Sequence, residues 1–437
     1  MESTGPRTCV FKVSGYIDLL YAIIVNSSYL TVAGQTAPGD GITIRRHFSK
    51  LINNTDPCTL RLINIGGYKG DYGLEEPVRD VVIRYLRLRQ GGPVKNKECP
   101  PQADTGSNIG IYGAYNVIID HVTAGWANDN QMSMHLSGWR AMEIQNITIQ
   151  KSLIHEPLVG HNTGIGMGGS GYDKTDPPKY FDLTNIDIHH NLLHSIGYRN
   201  PGATSGGTRV TNNIVYNWAS SLALMSGEAR LDLVNNYWRT GPSTQMSTFW
   251  RRQNRYYNIT EDGYPPSVYM AGNIMDTLEE TKEASWESWV LRVGPEYVAG
   301  PLPPEGRRFT PLPDSPIEVS VTSAQDAYSN ILNDVGMNRR LDCEGNWVWV
   351  QDAVDQRLIN EVTSRTGFGR EKKNVEEAGG WPTLSSGTAC PDTDNDGMPD
   401  AFEEKYGLNA TNPSDNALDN DGDGYLNIEE YLNGETP

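Results

Sequence analysis

The chain has 437 residues, 37% of them hydrophobic and 21% charged, a composition that fits a folded globular protein and excludes a disordered one. No apolar run reaches the ~18 residues of a membrane-spanning helix, and no basic patch is dense enough for nucleic acid. The net charge of −18 is uneven: 13 acids and one Lys fall within 391–437, so the tail carries −12 of it.

The opening "MESTGPRTCVF" is not a signal peptide. Further along, a β-rich element of about ten residues recurs. It appears as "DVVIRYLRLR" from 80, "NVIIDHVTAG" from 116, "NITIQKSLIH" from 146, "NIDIHHNLLH" from 185, "RVTNNIVYNW" from 209 and "LDLVNNYWRT" from 231. The apolar positions are mostly β-branched, as in strands. Turn-rich segments of variable length lie between the runs, and no helical period does, which disfavours βαβ units. Repeats of this size with strand content predict a solenoid. The expected fold is all-β, a right-handed parallel β-helix over 1–299. Its coils stack to bury an interior and expel length variation into loops. The recurrent Asn212, Asn213, Asn235 and Asn236 suit turns, where Asn tolerates left-handed geometry.

Residues 300–316 are Pro-rich and read as a linker or a strapped-down extended segment. Within 317–390, the stretches 323–336 and 352–367 carry Leu, Ile and Val at helical spacing and predict a helical extension. The tail, 391–437, contains two twelve-residue loops. The first places Asp392, Asp394, Asp396, Gly397, Asp400 and Glu403 at positions 1, 3, 5, 6, 9 and 12; the second places Asp419, Asp421, Asp423, Gly424, Asn427 and Glu430 likewise. Alternating carboxylates with a turn glycine and a final Glu form an EF-hand-like pattern for Ca2+. The expected role is structural or docking, because such carboxylates are used up on the ion.

Five cysteines (Cys9, Cys58, Cys99, Cys343 and Cys390) show no C-x-x-C spacing, so zinc is not expected, and disulfide connectivity stays open. Sequons at Asn26, Asn53, Asn146, Asn258 and Asn409 lean weakly toward secretion. His121, His155, His161, His189, His190 and His194 invite a metal cluster. Adjacent strand residues face opposite ways, so His189 and His190 are not expected to share a site, and stacked, hydrogen-bonded histidines are the simpler reading. The loop "GYRNPGATSGG" (197–207) holds Arg199 before Asn-Pro among glycines, which positions an arginine suited to carboxylates.

The segments "VSGYIDL", "LTVAGQTAPGDGITI", "DVVIRYLRLRQG", "NVIIDHVTAGW", "HHNLLHSIGYRNP" and "NNIVYNW" resemble the secreted pectate lyases, in the branch with the Gly-Gln-Thr-Ala-Pro-Gly-Asp signature. The tail looks like dockerin or thrombospondin-type calcium loops. The resemblance implies a secreted, monomeric enzyme that cleaves a uronate-containing polysaccharide by β-elimination. The base removes the C5 proton, and the carboxylate charge is neutralised by calcium or cationic side chains. It implies Arg199 as base, His161, Asn200 and Arg209 at the substrate, and Asp129 as a calcium ligand. The chain departs from the family at several positions. It has Asn108 where the family has Asp, Asp129-Asn130 for Asp-Glu, and Gly202 for the second Arg of Arg-Asn-Pro-Arg, with Arg209 as the nearby substitute. It begins almost at the first family segment, so a truncated first coil is expected. A non-catalytic carbohydrate-binding β-helix is the alternative, and a glycoside hydrolase ranks last because no carboxylate pair stands out near Arg199.

Overall fold

The computed structural model describes residues 1–46, 61–91, 106–136, 140–158, 161–168, 183–227, 229–245, 254–257, 266–286, 289–293, 296–368 and 372–437. Cys58, Cys99, Asn53 and Asn258 lie outside the described residues.

Each β-rich run is two strands rather than one. Val78–Arg84 is followed by Arg87–Arg89, and Ala114–Asp120 by Thr123–Gly125. Between the members of a pair sits one residue in the left-handed region: Tyr85, His121, Lys151, His190, Asn212 or Asn235, with φ between 46° and 57°. Non-glycine residues rarely adopt this conformation, so its recurrence fixes the same bend in coil after coil. The first strands of the pairs form a nine-stranded sheet, the second strands a ten-stranded sheet, and a third strand per coil another ten-stranded sheet. Order within each sheet follows the chain in steps of three, and pairing is parallel except at the last strands of the second and third sheets. The chain therefore visits the three sheets once per coil, as a parallel β-helix does.

The register stacks like on like. Val81, Val117, Ile147 and Ile186 align across the first sheet, as do Ile83, Ile119, Ile149 and Ile188. All eight are buried, each contributing about 1.5–3 kcal/mol of hydrophobic stabilisation. Two asparagine ladders add to this. Asn191, Asn213, Asn236 and Asn273 are buried, each amide oxygen after the first accepting the backbone N–H of the previous member. On the outer face, Asn185, Asn146 and Asn116 donate in series down to Asp80. These two ladders account for the Asp or Asn that opens many of the runs and for the paired asparagines.

Of the two readings of the Pro-rich segment, the strap is the one found. It runs back over the first sheet: Arg308 N–H donates to Val268 O, Leu312 N–H to Asp232, Ser315 Oγ to Asp187, and Thr322 N–H to Asn212. The extension then covers the second sheet with helices Ala324–Asn333 and Ala353–Ser364, whose buried faces share a core with Trp126, Leu153, Leu192 and Ile214. Arg87 and Arg89 are fully buried under this cover and paired with Asp352 and Asp355. Arg84 binds Asp120 and Asn433. The tail is docked too. Met398, Phe402, Ile428 and Tyr431 pack on Ala33 and Leu341, and the Cys343–Cys390 disulfide ties its base to the extension. Cys9 is free.

Candidate active site

Coil stacking brings together residues far apart in sequence. Just before the third-sheet strands Ile63–Gly66, Ile109–Tyr112, Asn130–Met134, Thr163–Met167 and Gly202–Ala203 stand Arg61, Ser107, Asp129, His161 and Arg199. Adjacent parallel strands are about 4.8 Å apart, and the register sets Arg61, Ser107, Asn130 and Thr163 in one column along the edge of the sheet, with Asp129 and His161 one and two residues before it.

Arg199 sits at its far end, with φ 60°. Its loop is pinned on both sides. Gly164 N–H donates to Tyr198 O, Ile165 N–H to Arg199 O, and Gly197 N–H to the buried Asn162 Oδ1 at 2.9 Å. Arg199 Nη1 donates to Asn130 Oδ1 at 3.0 Å, and the same oxygen accepts from Thr163 Oγ1. Glycines make this arrangement possible. A Cβ at Gly166 would stand 2.3 Å from Asn130 Oδ1, and one at Gly202 would stand 2.6 Å from Arg199 Cγ. Gly202, at the position of the second Arg of the Arg-Asn-Pro-Arg pattern, is therefore the floor under the Arg199 side chain.

One coil earlier, Asp129 Oδ1 accepts from His161 Nδ1 at 2.9 Å. Burial opposes the charge on Asp129, but the hydrogen bond and charge of His161 together with Arg199 outweigh it and hold the carboxyl below its ordinary value. The His161 ring lies edge-on to Tyr198, 5.6 Å between centroids. Toward the other end, Tyr68 and His135 Nδ1 are 3.1 Å apart and Arg61 stacks on Tyr112. Burial and the charge of Arg61 push His135 below its usual value. Arg61, Tyr68, Tyr112 and His135 were missed from sequence. They carry no shared motif, and only the coil register makes them neighbours of the site.

Two expected substrate residues are elsewhere. Arg209 lies on the first sheet, in Thr208–Thr211, where Asp187, Asn185 and the strap carbonyls of Pro313 and Asp314 occupy its guanidinium. Asn200 is buried, its amide donating to Ser221 O, so it holds the loop and does not face a ligand. Asn108, at the family's Asp position, is a buried rung that donates to Gly125 O and Gln131. For an active-site calcium the donor set does not fit. Asp129 is engaged by His161, Asn130 by Arg199 and Thr163, and among the described residues no group of three ligating side chains forms there.

The other histidines are structural. His155 and His194 are buried beside Glu156 and Glu361, with burial pushing both rings well below their usual range. His189 and His190 do meet, Nδ1 to Nδ1 at 2.9 Å, contrary to the strand argument. The strand ends at His189, and the left-handed turn at His190 brings its ring back. Burial disfavours the charged form of both rings.

In the tail, Asp392, Asp394 and Asp396 converge, as do Asp419, Asp421 and Asp423. A third group joins Asp396, Glu403 and Asp415. Burial and the surrounding carboxylates push Glu403 up to about 8 and Glu430 to about 7. Asp400 accepts from Thr393 through both oxygens, and Asn427 accepts Asn420 N–H and donates to Asp415 O.

No family model matches the chain. It is 27% identical over 436 residues to "Probable pectate lyase C" of Aspergillus flavus, covering 99% of this chain and 84% of that protein. It is 27% identical over 449 residues to the protein of the same name from Aspergillus fumigatus (strain CBS 144.89), covering 100% and 85%. Solved structures similar to it include "Pectate lyase bound to hexasaccharide", with a TM-score of 0.45 at 14% identity over 72% of this chain and 69% of that one. "Pectate Lyase C from Erwinia Chrysanthemi at pH 9.5 with 30mM Ca2+" gives a TM-score of 0.39 at 17% identity over 72% and 74%.

Proposed function

We propose that the chain is a polysaccharide lyase that cleaves pectate-like polyuronates by β-elimination on the outer face of a right-handed β-helix. The end-to-end similarity to fungal proteins named pectate lyase supports the class. The observation that carries the chemistry is the surroundings of Arg199. Its immediate partner is the neutral amide of Asn130, and the carboxylate of Asp129, which feels its charge, is paired with His161. A carboxylate bonded directly to a guanidinium stabilises its charged form, whereas a neutral amide does so far less. Arg199 is held in place by a neutral amide beside the edge of the sheet, and in this reading it is the base that takes the proton on C5. The electrons of that C–H bond form the C4=C5 double bond as the bond from C4 to the glycosidic oxygen breaks, and the departing oxygen takes a proton. With Nδ1 bound to Asp129, His161 presents Nε2 to the substrate. Arg61 offers a second guanidinium to uronate carboxylates along the column, doing by charge what calcium does elsewhere. No step passes through a metal here.

The tail binds Ca2+ in a structural role. The disulfide supports an oxidising, extracellular setting, and among the described residues no helix is long and apolar enough to cross a membrane. The chain works as a monomer on its polymer.

The test is incubation with polygalacturonate, alginate and a neutral glucan, following the ultraviolet absorbance of the unsaturated product. Absorbance should rise on polygalacturonate and not on the glucan. No product from any polyuronate would overturn the proposal.

A further inference from the structure

The first tail loop does not contain the whole of its ligand set. Counting position by position, Asp400 should contribute, yet both its oxygens are held by Thr393, at 2.7 and 2.8 Å. Asp415, twelve residues past the end of that loop and before the second begins, points back into it. Its carboxylate lies within 4.8 Å of ligand atoms from Asp396 and Glu403. Six carboxylate oxygens here are buried and lack a hydrogen-bond partner: Asp392 Oδ1, Asp394 Oδ2, Asp396 Oδ2, both of Glu403 and Asp415 Oδ1. Glu403 is fully buried, so two unpartnered oxygens of one carboxylate are aimed into the cluster. Leaving so many anionic oxygens buried without donors is costly. A hard cation that takes six to eight oxygens, with one carboxylate bidentate, removes that cost.

We propose that one Ca2+ is held by Asp392, Asp394, Asp396, Glu403 and Asp415, so that the segment between the two loops closes the first site. Asp415 is built for this. Its Oδ2 accepts Asn409 N–H at 2.8 Å, which leaves Oδ1 for the ion, and Asn416 Nδ2 donates to Asp396 O, tying the same turn to the loop. The ion then does more than fill a loop. Lys12 on the first coil pairs with Asp392, and Phe402, beside Glu403, packs against Tyr431 of the second loop's helix. The site therefore clasps both loops and the edge of the coil stack together. This rests on the reading that the tail takes calcium, and it is independent of the lyase chemistry.

The experiment is calorimetric titration of the chelator-stripped full chain with calcium chloride, for the natural sequence, Asp415→Asn and Asp400→Asn. Asn at 415 preserves the bond to Asn409. The natural chain should bind calcium at both loops. Asp415→Asn should weaken one site, by about 10–100-fold, because the ligand charge count sets calcium affinity, and Asp400→Asn should leave both unchanged. Equal binding by Asp415→Asn and the natural chain overturns this inference alone, and so does loss of a site in Asp400→Asn. No binding by the natural chain overturns the calcium reading with it. Proteolysis of the natural chain gives a check without variants: calcium should protect residues 409–418 from cleavage, and unchanged cleavage would count against the clasp.

Discussion

Replacing Glu156 with Gln should loosen the extension from the coils. Glu156 is fully buried at the end of a second-sheet strand. It accepts from Arg357 at 2.8 and 3.1 Å, pairs with Lys372 at 3.1 Å, and accepts from Trp126 Nε1 at 3.3 Å. Burial opposes its charge, but the His155 ring 3.6 Å away and the cations of Lys372 and Arg357 hold the carboxyl well below its ordinary range. The substitution keeps the shape and removes the charge. Lys372, itself buried, then faces an amide, and Arg357 keeps only Glu361 and a carbonyl. Removing one partner of a buried ion pair costs about 3–5 kcal/mol. Urea unfolding followed by tryptophan fluorescence should show a loss of that size. Because the folded value is depressed, the contribution is present above the unfolded carboxyl value and fades as pH falls through the folded one. The difference between the two proteins should therefore be full at pH 7 and shrink only in strong acid. A loss under about 1 kcal/mol at pH 7 would refute the assignment of Glu156 as the anchor of the extension.

Other outcomes follow from the same structure. His121 sits between Asp120 at 2.9 Å and Asp334 at 3.2 Å, stacked on Tyr85, with Arg84 on Asp120 and Lys151 and Arg339 on Asp334. Burial lowers its affinity for a proton, but the two carboxylates outweigh this and raise it. Its stabilisation is full below about pH 6.5 and is lost as pH rises through the raised value. His121→Asn should thus lose more stability at pH 5.5 than at pH 9.5, and an equal loss by urea titration would contradict the pairing. Asn162→Ala should lower kcat by about a hundredfold through displacement of the Arg199 loop, with KM little changed; a KM effect alone would show that Asn162 does not position it. Arg61→Ala should instead raise KM for polygalacturonate and flatten its dependence on salt, and unchanged salt dependence would remove Arg61 from the groove. Asn213→Ala should cost about 1–3 kcal/mol, because the buried Asn191 N–H loses its acceptor.

How much of this is legible in the sequence differs from element to element. The β-branched runs announce strands, and their recurrence announces stacking, because that pattern comes from residues meeting their own kind in the next coil. The bend inside each run is hidden. Tyr85, His121 and Lys151 hold the same left-handed turn as Asn212 and Asn235, and only the asparagines look like turn residues. The His189–His190 contact was misread for that reason. Arg199 was legible through its family-like loop. Arg209 was not, because its partners on the strap lie about a hundred residues away. Arg61 and Asp415 escape spacing arguments altogether, since a column across coils and a ligand between two loops have no fixed sequence interval.

The most direct test of the central claim is Arg199→Lys assayed on polygalacturonate. The change keeps a cation but replaces the planar group held by Asn130 with a flexible ammonium. Appearance of unsaturated product should fall by about 10²–10⁴-fold, the contribution of a positioned base, while far-ultraviolet circular dichroism and the urea midpoint stay those of the natural chain. Product formation at the natural rate by a folded Arg199→Lys protein would contradict the account.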